Sequence, residues 1–463
     1  MDRAGVVVVL ACALGCGSAP VEQTGARPAA APAAAPVAPD ARSAALAAPA
    51  GGALSVDRAF AALCGEDAIP LEVAGSRHFV KVRLKGPKGD EELRFHVDTG
   101  GNTPGLVLRK AAADRLGFAS ADALPRTIAI GGRDVALPEK TAWSSFDTAR
   151  DAARKDFEQG QIGAGFLAHF VVCIDPAAGR LGLARPDDVA IDPASAPWIP
   201  LSLIAGGDSG AQYPFVFVRV GGGGYGMLLD TGATSSMLEA SPMKWLAGKH
   251  EAWPTAAGAA GDADMIAGAW PEKVLRAEEA TISFPTAGLH ALGLEQAPAH
   301  ALGPVVFVER PDGTFEGMFG TPRYMAGASG AIANDVLDRF RLLIDYRNAR
   351  LWLQPTERPP DASSSWSRVG LSLEFGADGC PSVRQVTSSN SKQVHRALRA
   401  GDVLVEIDGK DVCGAWHHEI AALLAGPPGS TRKVTARRRG KRLRLELPVT
   451  DLLPYKQASS AAR

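Results

Sequence analysis

Two aspartates in this chain occupy the same chemical setting. Asp98 follows the apolar stretch "FHV" and precedes Thr99 and Gly100, while Asp230 follows "MLL" and precedes Thr231 and Gly232. Aspartate supplies a titratable carboxylate, threonine a hydroxyl that can reach backbone, and glycine a tight turn that brings amides up to the carboxylate. If two such turns meet, their carboxyls lie within hydrogen-bond distance, cannot both ionise, and share one proton. One can then take a proton from water while the other gives one to a carbonyl oxygen, which is general acid–base hydrolysis without a covalent intermediate. A single Asp-Thr-Gly is a weak signal, because any aspartate ending a strand in an Asx turn reads the same way.

The surrounding chain argues for a matched pair. "FVKVRL" at 79–84 and "FVFVRV" at 215–220 are alternating strands, and each leads through a glycine-rich turn to one of the two motifs. Further along, "LAHFVVCIDPAAGRLGL" at 167–183 and "LDRFRLLIDYRNARLWL" at 337–353 share seven of seventeen residues. Because these matches fall in the same order around both aspartates, they predict a duplicated β unit.

On these residues the stretch from about 70 to 355 resembles the retropepsin-like and pepsin-like aspartic peptidases. In that family each lobe carries a hydrophobic-hydrophobic-Asp-Thr-Gly turn and a later hydrophobic-glycine element beside it. "LLDTGATSS" matches closely, and Ile162-Gly163 supplies the later element of the first lobe. Two departures stand out: Gly101-Asn102 follows the first motif, and Ala331-Ile332-Ala333 replaces the glycine-containing element of the second. Neither Gly101 nor Ala233 brings a hydroxyl to its aspartate. The resemblance implies Asp98 and Asp230 as catalytic, with Thr99, Gly100, Thr231 and Gly232 as supporting turns. It also implies two small antiparallel barrels related by a pseudo-two-fold axis, with an extended peptide or protein substrate held between them. The hairpin "TIAIGGRDVAL" at 127–137 reads either as a flap over that cleft or as an ordinary surface hairpin.

The chain is long for one core, with 463 residues, and its 51 glycines, 33 prolines and few aromatics favour a mainly β architecture. A formal net charge of −1 gives no footprint for nucleic acid. The start, "MDRAGVVVVLACALGCGSAP", reads as an export signal over residues 1–16, too short to span a bilayer. Cys16 is the lipidation candidate if the signal is of the bacterial lipoprotein type; Cys12 is a second candidate, and plain secretion is the alternative. The expected location is the cell envelope or periplasm, with an N-terminal lipid as the membrane attachment. Residues 17–56 are mostly Ala and Pro and predict a disordered tether.

The remaining boundaries are a first lobe over 57–190, a second over 191–356, a Pro- and Ser-rich linker over 357–367, and a tail over 451–463. Between them, residues 368–450 resemble a small α/β PDZ domain, on "RAGDVL" at 399–404, "IDG" at 407–409 and the helix around His418. That resemblance implies a peptide-binding loop including Val369, Gly370, Leu371 and Ser372, and a C-terminal peptide as ligand. The linker composition predicts few contacts between this domain and the lobes. Outside the signal lie Cys64, Cys173, Cys380 and Cys413; pairs 64 with 173 and 380 with 413 suit an oxidising compartment, and a free buried Cys173 is the alternative. No cofactor is implied, and His417, His418 and Cys413 lack metal-ligand spacing. Ser209 in "GDSGA" imitates a serine nucleophile but no histidine sits in a partnering motif, so it reads as a linker residue. The expected function is an aspartic endopeptidase with PDZ-assisted peptide binding. An inactive protease-like scaffold acting through the PDZ domain is the alternative.

Overall fold

The computed structural model describes residues 52–101, 105–118, 125–137, 142–146, 158–206, 211–258, 273–283, 299–320, 327–357, 366–375 and 378–454. The export signal, Cys16, most of the tether and Ser209 lie outside them. The fold is mainly β. In the Arg77–Gly86 strand Val80, Val82 and Leu84 are buried while Lys81, Arg83 and Lys85 are exposed, the two-residue period of a strand with one face on a core. This strand forms a hairpin with Gly89–Val97, which delivers the chain to Asp98. Its counterpart, Gln212–Val220 with Gly223–Leu229, delivers the chain to Asp230.

The duplication extends to strand order. Gly160–Ile162 lies between Gly89–Val97, to which it is parallel, and Gly105–Arg109, to which it is antiparallel. Ala328–Ile332 lies in the same way between Gly223–Leu229 and Met237–Glu239. Both short strands contain a glycine that a side chain could not replace. A Cβ on Gly160 would stand 2.6 Å from the Val107 carbonyl oxygen, and one on Gly330 would stand 2.3 Å from that of Met237.

The two halves are joined by a sheet of six described strands, in which the repeated segments pair with each other: Val172 faces Ile344 and Cys173 faces Leu343. Helix Val56–Leu63, capped by Ser55, buries Val56, Ala59, Phe60 and Leu63 in a cluster with Val171, Leu343 and Trp352 of that sheet. A Cys64–Cys173 disulfide ties the helix end to it. Packing begins before residue 57, because the Leu54 amide already donates to Ala190 O at 2.8 Å. In the hairpin of Thr127–Ile130 and Arg133–Ala136, Ile128 and Ile130 are buried, and the tip at Gly131 sits against Ile69 and Pro70 of the central sheet. That is the arrangement of a packed surface hairpin.

The C-terminal unit has its own apolar cluster, including Val369, Leu371, Val383, Ile420 and Leu447, and a Cys380–Cys413 disulfide. It is not held apart from the lobes as the linker composition predicts. Arg94 of the first half lies between two rings, 3.7 Å from the Phe79 centroid and 4.2 Å from that of Trp416. Thr387 Oγ1 donates to Gly258 O at 2.9 Å, and Ser388 exchanges two bonds of 2.9 Å with Ala257 in the second half. The chain also stays packed beyond residue 450. Thr450–Asp451 pairs with Ser367–Arg368, and Leu453 is fully buried in a second-half cluster that includes Ala233, Tyr213 and Phe319. A Pro- and Ser-rich composition says nothing about whether the surfaces on either side of it match, and here the lobes and the C-terminal unit each present apolar or hydrogen-bonding surface. Leu453→Ala is therefore expected to destabilise the lobes by about 2–5 kcal/mol. Ending the chain near residue 356 is expected to lower their melting temperature, with calorimetry on both variants as the check.

Candidate active site

The two Asp-Thr-Gly turns meet, and threonine is the reason. The Thr99 amide donates to Thr231 Oγ1 at 3.0 Å, and the Thr231 amide donates to Thr99 Oγ1 at 3.0 Å. Each hydroxyl in turn donates across the interface, Thr99 to Leu229 O at 2.6 Å and Thr231 to Val97 O at 3.0 Å. Both threonines are fully buried, so every partner must be found inside the protein. The aspartate amides are fixed by the neighbouring short strands: Asp98 N donates to Ile162 O and Asp230 N to Ile332 O, each at 2.9 Å.

The glycines admit the opposing carboxylates. A Cβ on Gly100 would stand 2.5 Å from Asp230 Cγ, and one on Gly232 would stand 2.2 Å from Asp98 Cγ. Asp98 Oδ1 accepts from Gly100 N at 2.9 Å; Asp230 Oδ1 accepts from Gly232 N at 2.8 Å and Ala233 N at 3.2 Å. The aspartates are 8% and 7% exposed, enough to touch solvent and too little to be solvated as separate ions. Burial, and then the facing charge of Asp230, push Asp98 well above the usual carboxylate range, while the Gly100 amide pulls the other way. The pair holds one proton into a range where an exposed carboxyl has lost it.

Several residues complete the site that motif reading did not single out. Gln161 is buried, and its Nε2 donates to Asp98 Oδ2. Asn334 crosses between halves, its Nδ2 donating to Thr231 O and Ser76 O, each at 2.8 Å. Ser236 Oγ accepts from Ala333 N at 3.1 Å and donates to Asp335 Oδ1 at 2.7 Å, and burial pushes Asp335 up to about 7 against that pull. Ala333, where glycine is expected, is fully buried in the cluster that holds Ala233 and Ala164, so its methyl group is accommodated. Behind Asp98, Glu158 pairs with Arg109 and stands 3.4 Å from His96 Nδ1, which holds it down at about 2 despite its burial.

Val369, Gly370, Leu371 and Ser372 belong to a different place. They lie in the C-terminal unit, where Gly370 O accepts from Asn390 Nδ2 at 2.8 Å and a Cβ on Gly370 would meet Leu452 at 2.7 Å. Valine is close to threonine in shape but lacks the hydroxyl, so Thr99→Val or Thr231→Val leaves the opposing buried amide without an acceptor. Each is expected to lower stability by about 1–3 kcal/mol in denaturant unfolding, with Thr→Ser costing less.

No family model matches the chain, and no curated protein matches it. Among solved structures, it matches a photosystem II D1 C-terminal processing protease at 26% identity, over 26% of this chain and 30% of that one, with a TM-score of 0.18. A superposition that limited bears neither on the fold nor on the activity of this chain.

Proposed function

We propose that this chain is an aspartic-type endopeptidase, which hydrolyses peptide bonds with a water activated between Asp98 and Asp230. The observation that carries the proposal is the reciprocal threonine exchange, which holds two nearly buried carboxyls face to face. In the reaction the water oxygen bonds to the scissile carbonyl carbon, its proton passes to the ionised carboxylate, and the protonated carboxyl gives its proton to the carbonyl oxygen. The C-terminal unit is read as a PDZ-like peptide-binding module. Its Leu371–Phe375 strand ends the sheet and pairs on one side with Pro381–Val386, which suits addition of an extended peptide on the other.

Digestion of a broad peptide library by the full chain tests the reading. Cleavage is expected to follow a bell-shaped pH profile, its limbs belonging to the pair, with the basic limb above the usual carboxylate range because the pair retains its proton there. Asp98→Asn and Asp230→Asn are each expected to reduce turnover by several orders of magnitude with the fold intact. Near-wild-type cleavage by Asp98→Asn would remove the intramolecular pair, and no cleavage by wild type from acid to neutral pH would favour a peptide-binding scaffold. The export signal leads to a further proposal, attachment to the cell envelope by a lipid on Cys16. Metabolic labelling with a fatty acid is expected to tag wild type and not Cys16→Ser; a tag that persists in that variant moves the site, and no tag in either indicates secretion.

A further inference from the structure

The duplicated halves meet at two equivalent junctions, and the chain fastens them differently. At one, helix Asn334–Leu337 of the second half meets the turn that opens the Arg77–Gly86 strand of the first. Asn334 Nδ2 donates to Ser76 O at 2.8 Å, and His78 Nε2 stands 2.7 Å from Asp338 Oδ1. Beside them the Thr356 amide donates to Arg339 O at 2.8 Å. At the other junction helix Ala164–Leu167 takes the same place, with Ala164 where the second half has Asn334 and Ala168 where it has Asp338. Pro214 stands in the register of His78, and Pro186 follows the repeated strand at the position of Thr356. Alanine has no polar side-chain atom and proline no N–H, so none of the fastening bonds can form there.

Where those bonds are missing, a cavity of about 670 Å³ opens between the halves, a volume that suits a small organic molecule. Ala168 and Pro186 line it from the first half, Leu203 and Gln212 from the second. Its charged walls are unevenly used. Arg347 is paired with Asp187 at 2.6 Å, and Asp188 is exposed at the rim. Arg185 donates to the Ala136 carbonyl at 2.7 Å and lies 4.8 Å from the Phe170 ring centroid, and it makes no ion pair with a carboxylate of the described residues. Beside it His169 is held below its ordinary value, by burial first and by the Arg185 charge after it. The most buried wall is Tyr346, 2% exposed, whose hydroxyl has no hydrogen-bond partner among the described residues.

We propose that this junction is a binding site for a small monocarboxylate, held by Arg185 and the Tyr346 hydroxyl, whose occupant braces the side of the interface that the chain leaves unfastened. A carboxylate offers two acceptor oxygens in one plane, one for a guanidinium N–H and one for a buried hydroxyl. Because Asp187 offsets Arg347, the cavity presents Arg185 as its uncompensated cation, which matches one negative charge. A doubly charged anion such as phosphate is opposed by Asp188 at the rim. The walls of Ala168, Pro186 and Leu203 favour a carboxylate that carries a short aliphatic group, the chemistry shared by a small organic acid and the C-terminal end of a peptide. Neither Asp98 nor Asp230 lines the cavity, so the inference stands apart from the endopeptidase reading.

The test is an NMR titration of the full chain with N-acetylalanine, read at the His169 ring protons, which are assigned with His169→Gln. Saturable binding is expected, and the new negative charge is expected to raise the His169 midpoint. N-acetylalanine amide, which has the same shape without the charge, and inorganic phosphate are expected not to bind. Arg185→Met is expected to weaken binding about tenfold or more, Arg185→Lys less, and Tyr346→Phe severalfold with its ring retained. A stronger response to acetyl-trialanine than to N-acetylalanine assigns the carboxylate to a peptide end, and an equal or weaker one assigns it to a small acid. Absence of saturable binding by both carboxylates overturns the proposal. So does binding of the amide or of phosphate as tightly as N-acetylalanine, and so does wild-type affinity in folded Arg185→Met.

Discussion

Two threonine hydroxyls, each donating to and accepting from the opposite half, turn a pair of strand ends into one titrating unit. Without that exchange, the Asp98 and Asp230 turns would lose the four buried hydrogen bonds that tie each to the opposite half. With it, the turns are held so close that no side chain fits at Gly100 or Gly232, since each would collide with the other half's carboxylate. The exchange is also self-limiting. Its donors and acceptors are buried, so a partial shift of one half against the other would orphan several polar groups together, at a cost of about 1–3 kcal/mol each. The central sheet and Asn334, which binds carbonyls of both halves, oppose such a shift from below.

Much of this frame was legible because repetition and period are local. The alternation in "FVKVRL" and "FVFVRV", the two Asp-Thr-Gly turns and the seventeen-residue echo required no knowledge of which strand lies beside which. Ile162 and Ile332 were legible too, and both occupy the register that fixes the aspartate amides. Gln161 was not. One glutamine between a glycine and an isoleucine fits any short strand, and its importance appears only once that strand is inserted beside the Asp98 strand. Gly101 then changes meaning from an irregularity after the motif to the space that the glutamine fills.

The contacts of the C-terminal unit are hidden in the sequence for a related reason. Leu453 falls in sequence within a short tail beyond the domain, and a Pro- and Ser-rich joint suggests independence. Pairing of Arg94 with Trp416, and of Thr387 and Ser388 with Gly258 and Ala257, depends on surfaces distant in sequence. Leu453 reaches the cluster that contains Ala233, immediately after the second turn. The terminal segment thus contributes to the apolar packing around Ala233, just after the second turn, while Glu158 with Arg109 and His96 stands buried behind Asp98.

That contrast sets how pH acts on the fold. Glu158 is held below its ordinary value, against its burial, by His96 first and Arg109 after it, so these contacts stabilise the fold fully above about 4.5 and are lost as pH falls toward about 2. Asp98 is held above its ordinary value, so the proton shared with Asp230 stabilises the fold at low pH and is lost as pH rises through the raised value. The two slopes oppose each other and leave a window in mild acid where Glu158 is ionised and the dyad still holds its proton. General acid–base hydrolysis requires the same protonation state, one carboxyl charged and one neutral, at a site where both are almost buried. The ion pair behind Asp98 and the shared proton in front of it are therefore compatible only over the range in which the proposed reaction would run.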